Sequence, residues 1–120
     1  MPDFFGEFVG VQIVDVKDGY AKASLKITKD HTNFHGVAHG GVIFTLADCA
    51  FAEAVNFGER IAVAIQVSIN YLSPSKEGDI LTAEATRISE SRKISLYHIK
   101  VTNQDKKLIA LFAGTAYHKQ

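Results

Sequence analysis

Asp48 is the residue of this sequence whose surroundings most strongly suggest a chemical role. The fourteen residues from Val42 to Val55 contain only three clearly polar side chains, those of Thr45, Asp48 and Glu53. An ionised carboxylate that is buried without partners is strongly destabilising. Asp48 therefore either faces solvent or forms a structural ion pair, or it is a general base or nucleophile whose pKa is tuned by its setting.

A pair of glycines, Gly40 and Gly41, stands immediately before this apolar stretch. The pair either forms a flexible turn into a helix or exposes backbone N–H groups at a positive helix terminus, where a substrate can approach closely. Such donors can stabilise the oxyanion that forms when a carbonyl is attacked. Asp48 follows Gly41 by seven residues. Together the two features are suited to acyl transfer, with donors for the carbonyl oxygen and a carboxylate for the attacking water.

Three histidines, His31, His35 and His39, recur at a spacing of four residues. On a helix this spacing would place them on one face, where they could bind a metal ion. Asn33 and the glycines among them favour a loop instead, so we predict histidines that hydrogen-bond the backbone, and no metal site.

Cys49 adjoins Asp48 in the sequence. We interpret Cys49 as a small core residue rather than as a nucleophile.

Arg92 and Lys93 form a compact basic pair in a predicted connection between two strands. The pair is either a set of solvated turn charges or a contact to the phosphates of a ligand that resembles a cofactor.

The elements that must position these residues follow from hydrophobic periodicity. Alternation of apolar and polar residues predicts strands, whereas the uninterrupted apolar run predicts a helix that protein surrounds. Residues 31–41 are rich in His and Gly and are predicted to form a loop. The helix is predicted over residues 42–57, and the strands over residues 9–13, 20–27, 61–71, 80–89, 94–103 and 107–117.

This order predicts an α+β fold in which a curved antiparallel sheet of about six strands wraps around one long central helix. The last strand is apolar on both faces, so it is expected to lie inside the sheet. Length predicts one domain, residues 1–120. Long strands with apolar faces invite pairing between subunits, and we expect a homodimer or a dimer of dimers.

Composition excludes several classes of protein. Thirteen basic and thirteen acidic residues give a net charge of zero, which argues against a general nucleic-acid binder. A single cysteine excludes an internal disulfide. The N-terminal residues do not resemble a signal peptide, and no apolar stretch is long enough to predict a membrane span. A cytoplasmic protein is therefore expected.

The motifs together resemble those of the hotdog-fold acyl-CoA thioesterases of the phenylacetic acid degradation type. The resemblance is carried by residues 33–41 (NFHGVAHGG) and 44–52 (FTLADCAFA), and it continues through residues 69–74 (INYLSP) and 110–115 (ALFAGT). It implies hydrolysis of a small aromatic or medium-chain acyl-CoA to a free acid and coenzyme A. It also implies active sites at the interface of a homodimer or homotetramer, with coenzyme A as part of the substrate and no separate cofactor.

The resemblance also implies roles for the helix and the loop before it. Asp48 would be the general base or nucleophile, and the N–H of Gly41, with Gly40 beside it, would polarise the thioester carbonyl. Asn33 would help to place water or substrate, and His39 would shape the oxyanion site. Asp48 and the Gly41 donor that act on one substrate are expected to come from different subunits.

In the same family, basic residues before the fifth strand would meet the phosphates of coenzyme A, which here implicates Arg92 and Lys93. One position departs from the family pattern, because some relatives carry Ser or Thr where this chain has Ala64, next to Ile65 and Gln66. Water positioning would then fall to Asn33, Gln66 or the backbone.

Two other functions stay open at this point. One is a hotdog-type hydratase or dehydratase acting on acyl-CoA or acyl-carrier-protein, with His35 or His39 at its site. The other is a non-catalytic module that binds acyl-CoA. The acyl group itself is unassigned, although Phe51, Phe57, Tyr71 and the apolar sheet face could accept it.

Overall fold

A computed structural model describes residues 3–119, and most of them belong to helices or strands. A short 3-10 helix, Lys29–His31, precedes the loop that leads into the longer of two α-helices. The elements are α1 (Phe4–Val9), β1 (Gln12–Lys17), β2 (Tyr20–Lys26), α2 (Gly40–Val55), β3 (Ala62–Tyr71), β4 (Ile80–Glu90), β5 (Ile94–Thr102) and β6 (Leu108–His118).

The strands form one sheet in the order β1-β2-β4-β5-β6-β3, and all neighbouring strands are antiparallel. Helix α2 contacts all six strands, which requires the sheet to curve around it. The predicted α+β fold, with a six-stranded antiparallel sheet around one long helix, is therefore confirmed. Strand β6 lies between β5 and β3, as its two apolar faces predict.

The core forms where α2 meets the concave face of the sheet. Phe51 is 1% exposed, and its ring packs against the rings of Tyr97 and Phe112. A Cβ at Gly114 of β6 would lie 2.7 Å from the Phe51 ring, so a glycine is needed there. Phe51 therefore belongs to the core, and the expectation that it could accept an acyl group is wrong.

The N-terminal segment differs from its prediction. A strand over residues 9–13 is expected from alternation, but Val9 ends helix α1 and β1 starts only at Gln12. Asp3 caps α1 by accepting a 2.9 Å hydrogen bond from the Gly6 N–H, and Gly10 ends the helix with φ 106°. The alternation of apolar residues over 9–13 thus covers the end of a helix and the start of a strand. Periodicity alone does not distinguish this arrangement from a single strand.

Helix α2 begins two residues before its predicted start and ends two residues before its predicted end, at Val55. Eight of its residues are buried, while Gly41, Thr45 and Asp48 lie on the opposite side of the helix. Among residues 3–119, no helix is both long and apolar enough to cross a membrane.

Strand β3 forms one edge of the sheet and leaves apolar side chains uncovered. Val63 is 43% exposed and Ile65 is 56% exposed, and Ile61 just before the strand is 55% exposed. A β-bulge shifts the pairing of β3 with β6 between Ala64 and Gln66. The edge therefore offers unpaired backbone groups next to an apolar surface.

Candidate active site

Helix α2 begins at a cap formed by the imidazole of His39. Nδ1 of His39 accepts a 2.9 Å hydrogen bond from the Gly41 N–H, and the His39 carbonyl accepts a 3.0 Å bond from the Val42 N–H. The first N–H groups of a helix have no partner within the helix, so the side chain satisfies one of them. In this structure Nδ1 of His39 thus binds the Gly41 N–H, which is the donor that the family resemblance assigns to the thioester carbonyl.

Gly40 lies under the ring of Tyr71, at the far end of β3. The Tyr71 hydroxyl donates a 3.0 Å hydrogen bond to the Gly40 carbonyl, and a Cβ at Gly40 would lie 3.2 Å from the ring. A side chain at Gly40 would therefore push Tyr71 aside. Within residues 3–119 no acceptor meets the Gly40 N–H, so this donor is available to a ligand.

Asp48 lies on the same face of α2 as Gly41 and Thr45, because residues separated by four and seven positions align along a helix. The Thr45 hydroxyl donates a 2.8 Å hydrogen bond to the Gly41 carbonyl. Seven residues span about 10 Å along the helix axis. Asp48 and Gly41 of one chain are therefore too far apart to contact the same carbonyl group.

The Asp48 carboxylate is half-buried and lacks a partner: in the part of the chain that the structure describes, it makes neither a hydrogen bond nor an ion pair. Burial raises its pKa, and the negative charge of Asp3 raises the pKa further. A carboxylate in this state is a stronger base than one in water, and it has no structural bond to lose.

Asp3 is a residue that the sequence reasoning missed. Its Oδ1 caps α1, and its Oδ2 accepts a hydrogen bond from the Cys49 thiol at 3.3 Å. Burial, this hydrogen bond and nearby carboxylates raise the pKa of Cys49 to about 12. Cys49 is a buried thiol, in agreement with the predicted core position. An acidic residue just ahead of Phe4–Val9 is an N-cap signal that could have revealed both α1 and Asp3.

The loop before α2 is held by Asn33. Its side-chain oxygen accepts hydrogen bonds from the backbone N–H groups of His35 at 2.9 Å and Val37 at 3.4 Å. The Asn33 N–H also donates to the Val37 carbonyl at 2.8 Å. Asn33 therefore folds the loop into a tight turn, and its side-chain NH₂ group stays available for a contact with water or substrate.

The three histidines of this region hold different contacts. Nδ1 of His31 accepts a 2.9 Å bond from the Thr28 N–H, so the protonated Nε2 donates to the Val9 carbonyl at 2.7 Å. The His35 ring stacks on Phe34. No three potential metal ligands come together anywhere in residues 3–119.

Arg92 and Lys93 lie at the other end of α2, as a chain of contacts indicates. Asn56, the C-cap of α2, accepts a 2.8 Å bond from the Ala62 N–H at the start of β3. Ala62 pairs with His118, whose N–H donates to the Lys93 carbonyl at 2.7 Å. Arg92 is exposed. Within one chain, this pair is thus separated from the Gly40–Gly41 end by the length of the helix.

The position where some relatives carry Ser or Thr coincides with the β3 bulge. Ala64 pairs with Ala116, and the next paired residue is Gln66, which leaves Ile65 as the additional residue. A bulge changes the direction of the side chains that follow it. Gln66 is exposed at this point and is the polar side chain that stands nearest in the sequence to the missing hydroxyl.

A groove of about 960 Å³ opens between α1 and the sheet. Its wall includes Phe5 and Phe8 of α1, Leu25 of β2, and Val42, the residue after Gly41. The groove is mainly apolar and has the size of a typical small-molecule pocket. Val42, in the first turn of α2, lines the groove, whereas Gly40 and Gly41 do not.

Comparison with known proteins identifies relatives across almost the whole chain. The model of the thioesterase superfamily matches residues 35–110. A protein of Archaeoglobus fulgidus is 44% identical over 92% of this chain and 72% of its own length. Acyl-coenzyme A thioesterase PaaI of Escherichia coli is 36% identical over 96% of this chain and 82% of its own length.

Solved structures agree with these sequence matches. The structure of E. coli PaaI, from the phenylacetic acid degradation operon, has a TM-score of 0.95 at 35% identity, covering 98% of this chain and 86% of that one. A hypothetical thioesterase of Streptococcus pneumoniae, solved with coenzyme A, has a TM-score of 0.87 at 28% identity. That match covers 92% of this chain and 86% of the other.

Proposed function

This chain belongs to the thioesterase superfamily, as a hotdog-fold acyl-CoA thioesterase of the phenylacetic acid degradation type, and we propose how its own residues hydrolyse the substrate. The carboxylate of Asp48 removes a proton from water while the water attacks the thioester carbonyl, and the protonated Asp48 then gives this proton to the departing sulfur. Alternatively, the carboxylate attacks the carbonyl itself and expels the thiolate of coenzyme A, which takes a proton from water, and a second water hydrolyses the acyl–Asp48 anhydride to the free acid and the carboxylate. Backbone N–H groups at the start of α2 stabilise the oxyanion, and coenzyme A leaves as the thiol. The unpartnered, half-buried Asp48 is the observation that carries this proposal.

The oxyanion donors in this scheme are the N–H groups of Gly40 and Gly41. The Gly40 N–H needs no rearrangement, since no acceptor within the described chain meets it. The Gly41 N–H becomes available when the thioester oxygen replaces Nδ1 of His39, which now caps it at 2.9 Å. His39 thus shapes the oxyanion site, and Asn33, whose turn holds the loop, offers its NH₂ group to the attacking water or the substrate.

Two subunits are needed to bring the base to these donors. Asp48 and Gly41 lie about 10 Å apart along one helix. If two copies of α2 pack antiparallel around a two-fold axis near Thr45, Asp48 of one copy lies beside Gly41 of the other. Because a two-fold contact is reciprocal, the same packing completes two sites in each dimer.

The surface of the chain supports such an assembly. Edge strand β3 carries the exposed side chains of Val63 and Ile65, and an apolar edge of this kind is covered in stable proteins. We propose a homodimer that pairs through this edge, and a homotetramer built from two such dimers.

The acyl group is proposed to occupy the groove that starts at Val42. Its volume of about 960 Å³ and its phenylalanine side chains suit a small aromatic or a medium-chain acyl group.

Arg92 and Lys93 are proposed to contact the phosphates of coenzyme A. The scheme uses a carboxylate and backbone amides, so activity should persist in the presence of a metal chelator. The free Cys49 thiol suits the reducing cytoplasm, which is the proposed compartment.

The proposal is tested by supplying a panel of aromatic and aliphatic acyl-CoA esters and measuring the free thiol with a chromogenic reagent. Release of thiol with no change in double-bond absorbance is the expected result. A change in double-bond absorbance without free thiol would instead indicate hydration or dehydration and would contradict the mechanism. Substitution of Phe8 by Ala should lower kcat/KM more for the longer acyl groups than for acetyl-CoA.

A further inference from the structure

Tyr71, the last residue of β3, contacts the start of α2. Its hydroxyl donates a 3.0 Å hydrogen bond to the carbonyl of Gly40, which lies 31 positions earlier in the chain. The ring packs against the same residue, since a Cβ at Gly40 would lie 3.2 Å from both Cζ and the hydroxyl oxygen of Tyr71. The side chain therefore holds the first residue of the helix through a hydrogen bond and through close packing.

The peptide group that accepts this bond is the one that carries the Gly41 N–H. The Gly40 carbonyl and the Gly41 N–H belong to one planar amide, in which resonance couples the oxygen to the nitrogen. A hydrogen bond to the oxygen draws electron density from the nitrogen and makes the N–H a stronger donor, since linked hydrogen bonds polarise one another. The Tyr71 hydroxyl thus acts on the same amide that the proposed mechanism uses to stabilise the oxyanion.

The two ends of this amide are held by different parts of the chain. His39 holds the nitrogen end, because its Nδ1 accepts the 2.9 Å bond from the Gly41 N–H. Tyr71 holds the oxygen end from the sheet. In the proposed mechanism the thioester oxygen replaces Nδ1 of His39, so the nitrogen end changes its partner during the reaction. The bond from Tyr71 does not have to change, and it keeps the plane of the amide in place.

The sheet fixes the position of Tyr71. Tyr71 pairs with Ala110 of β6, and the N–H of Leu72 donates a 2.8 Å hydrogen bond to the Ile109 carbonyl. Burial raises the pKa of the Tyr71 hydroxyl, so this group keeps its proton at neutral pH and remains a donor. The helix start is therefore tied to a strand that is itself paired along its length.

The next amide along the helix provides a contrast. Its carbonyl, that of Gly41, accepts a 2.8 Å bond from the Thr45 hydroxyl, so a hydroxyl also holds its oxygen end. Its N–H, that of Val42, donates to the His39 carbonyl at 3.0 Å and is engaged within the chain. Thr45 therefore supports a backbone bond of the helix start, whereas Tyr71 supports an amide whose N–H is a donor for the substrate.

We propose that Tyr71 is a positioning residue for thioester hydrolysis, whose hydroxyl orients and polarises the Gly40–Gly41 amide so that the Gly41 N–H binds the oxyanion more strongly. Tyr71 acts through this N–H and not on the reacting atoms. The inference rests on the proposed function for the reaction, whereas the effect of the hydroxyl on the amide can be measured without turnover.

The kinetic test compares Tyr71→Phe, which keeps the ring and removes the hydroxyl, with Tyr20→Phe as the matched control. The Tyr20 hydroxyl also donates one hydrogen bond, to Glu84, but does so between β2 and β4. In Tyr71→Phe, kcat and kcat/KM should fall together by about threefold to tenfold, because the lost stabilisation is greatest in the transition state. The control should keep the wild-type values. An unchanged kcat in Tyr71→Phe, or an equal fall in the control, would overturn the proposal.

The second test measures the polarisation of the substrate carbonyl. An acyl-CoA labelled with ¹³C at the thioester carbonyl is bound to Asp48→Asn, which leaves it intact, and its infrared band is recorded. Hydrogen bonds to the carbonyl oxygen lower the frequency of this band. Addition of Tyr71→Phe should reverse part of the decrease, and addition of Tyr20→Phe should not. A lower kcat with an unchanged band would show that Tyr71 supports only the fold, and the proposal would be wrong.

A third measurement separates this inference from the proposed function. If the wild type releases no thiol from any acyl-CoA, the proposed function is wrong. The NMR signals of the Gly41 amide then still show whether Tyr71 polarises it, and the same spectra show whether each variant is folded. Both the nitrogen and the proton signal should move upfield in Tyr71→Phe and stay in place in Tyr20→Phe. Signals that do not move in a folded Tyr71→Phe would contradict the inference.

Discussion

Asp48 and Asp79 are carboxylates in opposite settings. Asp79 precedes β4 and is 6% exposed, yet its oxygens accept bonds from the Lys76 N–H at 3.0 Å and from Nε2 of Gln104 at 2.9 Å. These bonds lower its pKa. Asp48, on the outer face of α2, is half-buried without a partner in its own chain, and burial together with Asp3 raises its pKa.

The difference separates a structural carboxylate from a reactive one. Hydrogen bonds to Asp79 stabilise its ionised form, so the folded chain holds that charge and gains stability from it. Nothing in the described chain stabilises the charge of Asp48, so its ionised form opposes folding and is available for proton transfer. Burial alone does not distinguish the two residues, whereas burial considered together with hydrogen-bond partners does.

The largest expected effect comes from Asp48→Asn. Loss of a general base typically lowers the rate by about 10²–10⁴-fold, and we expect a loss in this range when thiol release is measured. The melting temperature at neutral pH should stay the same or rise, because the raised pKa means that the ionised carboxylate is unfavourable in the folded state. A variant that keeps its activity, or that loses stability instead, would contradict the comparison.

Asp79→Asn should show the reverse. The new amide NH₂ would face the N–H donors of Lys76 and Gln104 instead of accepting from them. An unsatisfied buried polar group of this kind costs about 1–3 kcal/mol. The free energy of unfolding, measured with a denaturant, should therefore be lower by that amount. Folding lowers the pKa of Asp79. The ionised carboxylate therefore stabilises the folded protein fully at any pH above the pKa that Asp79 has in the unfolded chain. This stabilisation is lost as the pH falls through the pKa of Asp79 in the folded protein. The wild-type advantage over Asp79→Asn should therefore disappear in acid, while kcat at neutral pH stays unchanged.

The smallest effect is expected from Asp3→Asn, which keeps an N-cap for α1 but removes the charge that faces Asp48. The pKa of Asp48 should then fall, and the acidic limb of the kcat/KM profile should move to lower pH. Burial is the larger cause of the raised pKa and remains, so the shift should be partial. Glu7→Gln removes the same charge elsewhere on α1 and serves as the control. An unmoved limb in Asp3→Asn would show that Asp3 does not act on the base.

Most of the fold could be predicted from the sequence, because long alternating strands and one mostly apolar helix have strong sequence signals. Periodicity does not reveal the six-residue helix α1, since it is too short for a helical period to stand out from the strand that follows, and its one sequence signal is the acidic N-cap residue Asp3. Asp48, Gly40 and Gly41 could be proposed because an acid and two glycines are unusual in and before an apolar helix.

Other features of the site depend on tertiary structure. Tyr71 is 31 positions from Gly40 in the sequence, and only the placement of the end of β3 beside the start of α2 brings its hydroxyl to the Gly40 carbonyl. The His39 cap on Gly41 and the turn bonds of Asn33 are likewise side-chain geometries that residue types and spacing do not specify.

The central claim is that Asp48 of one subunit acts with the Gly41 end of α2 of another, and subunit complementation tests it most directly. Gly41→Val places a side chain where the thioester carbonyl must approach, and Asp48→Asn removes the base. Each variant assembled with itself should be inactive. Mixed dimers, isolated by two different affinity tags after co-expression, should recover thiol release, because one of their two sites contains both intact elements. Mixed dimers that stay as inactive as the two parents would contradict the account.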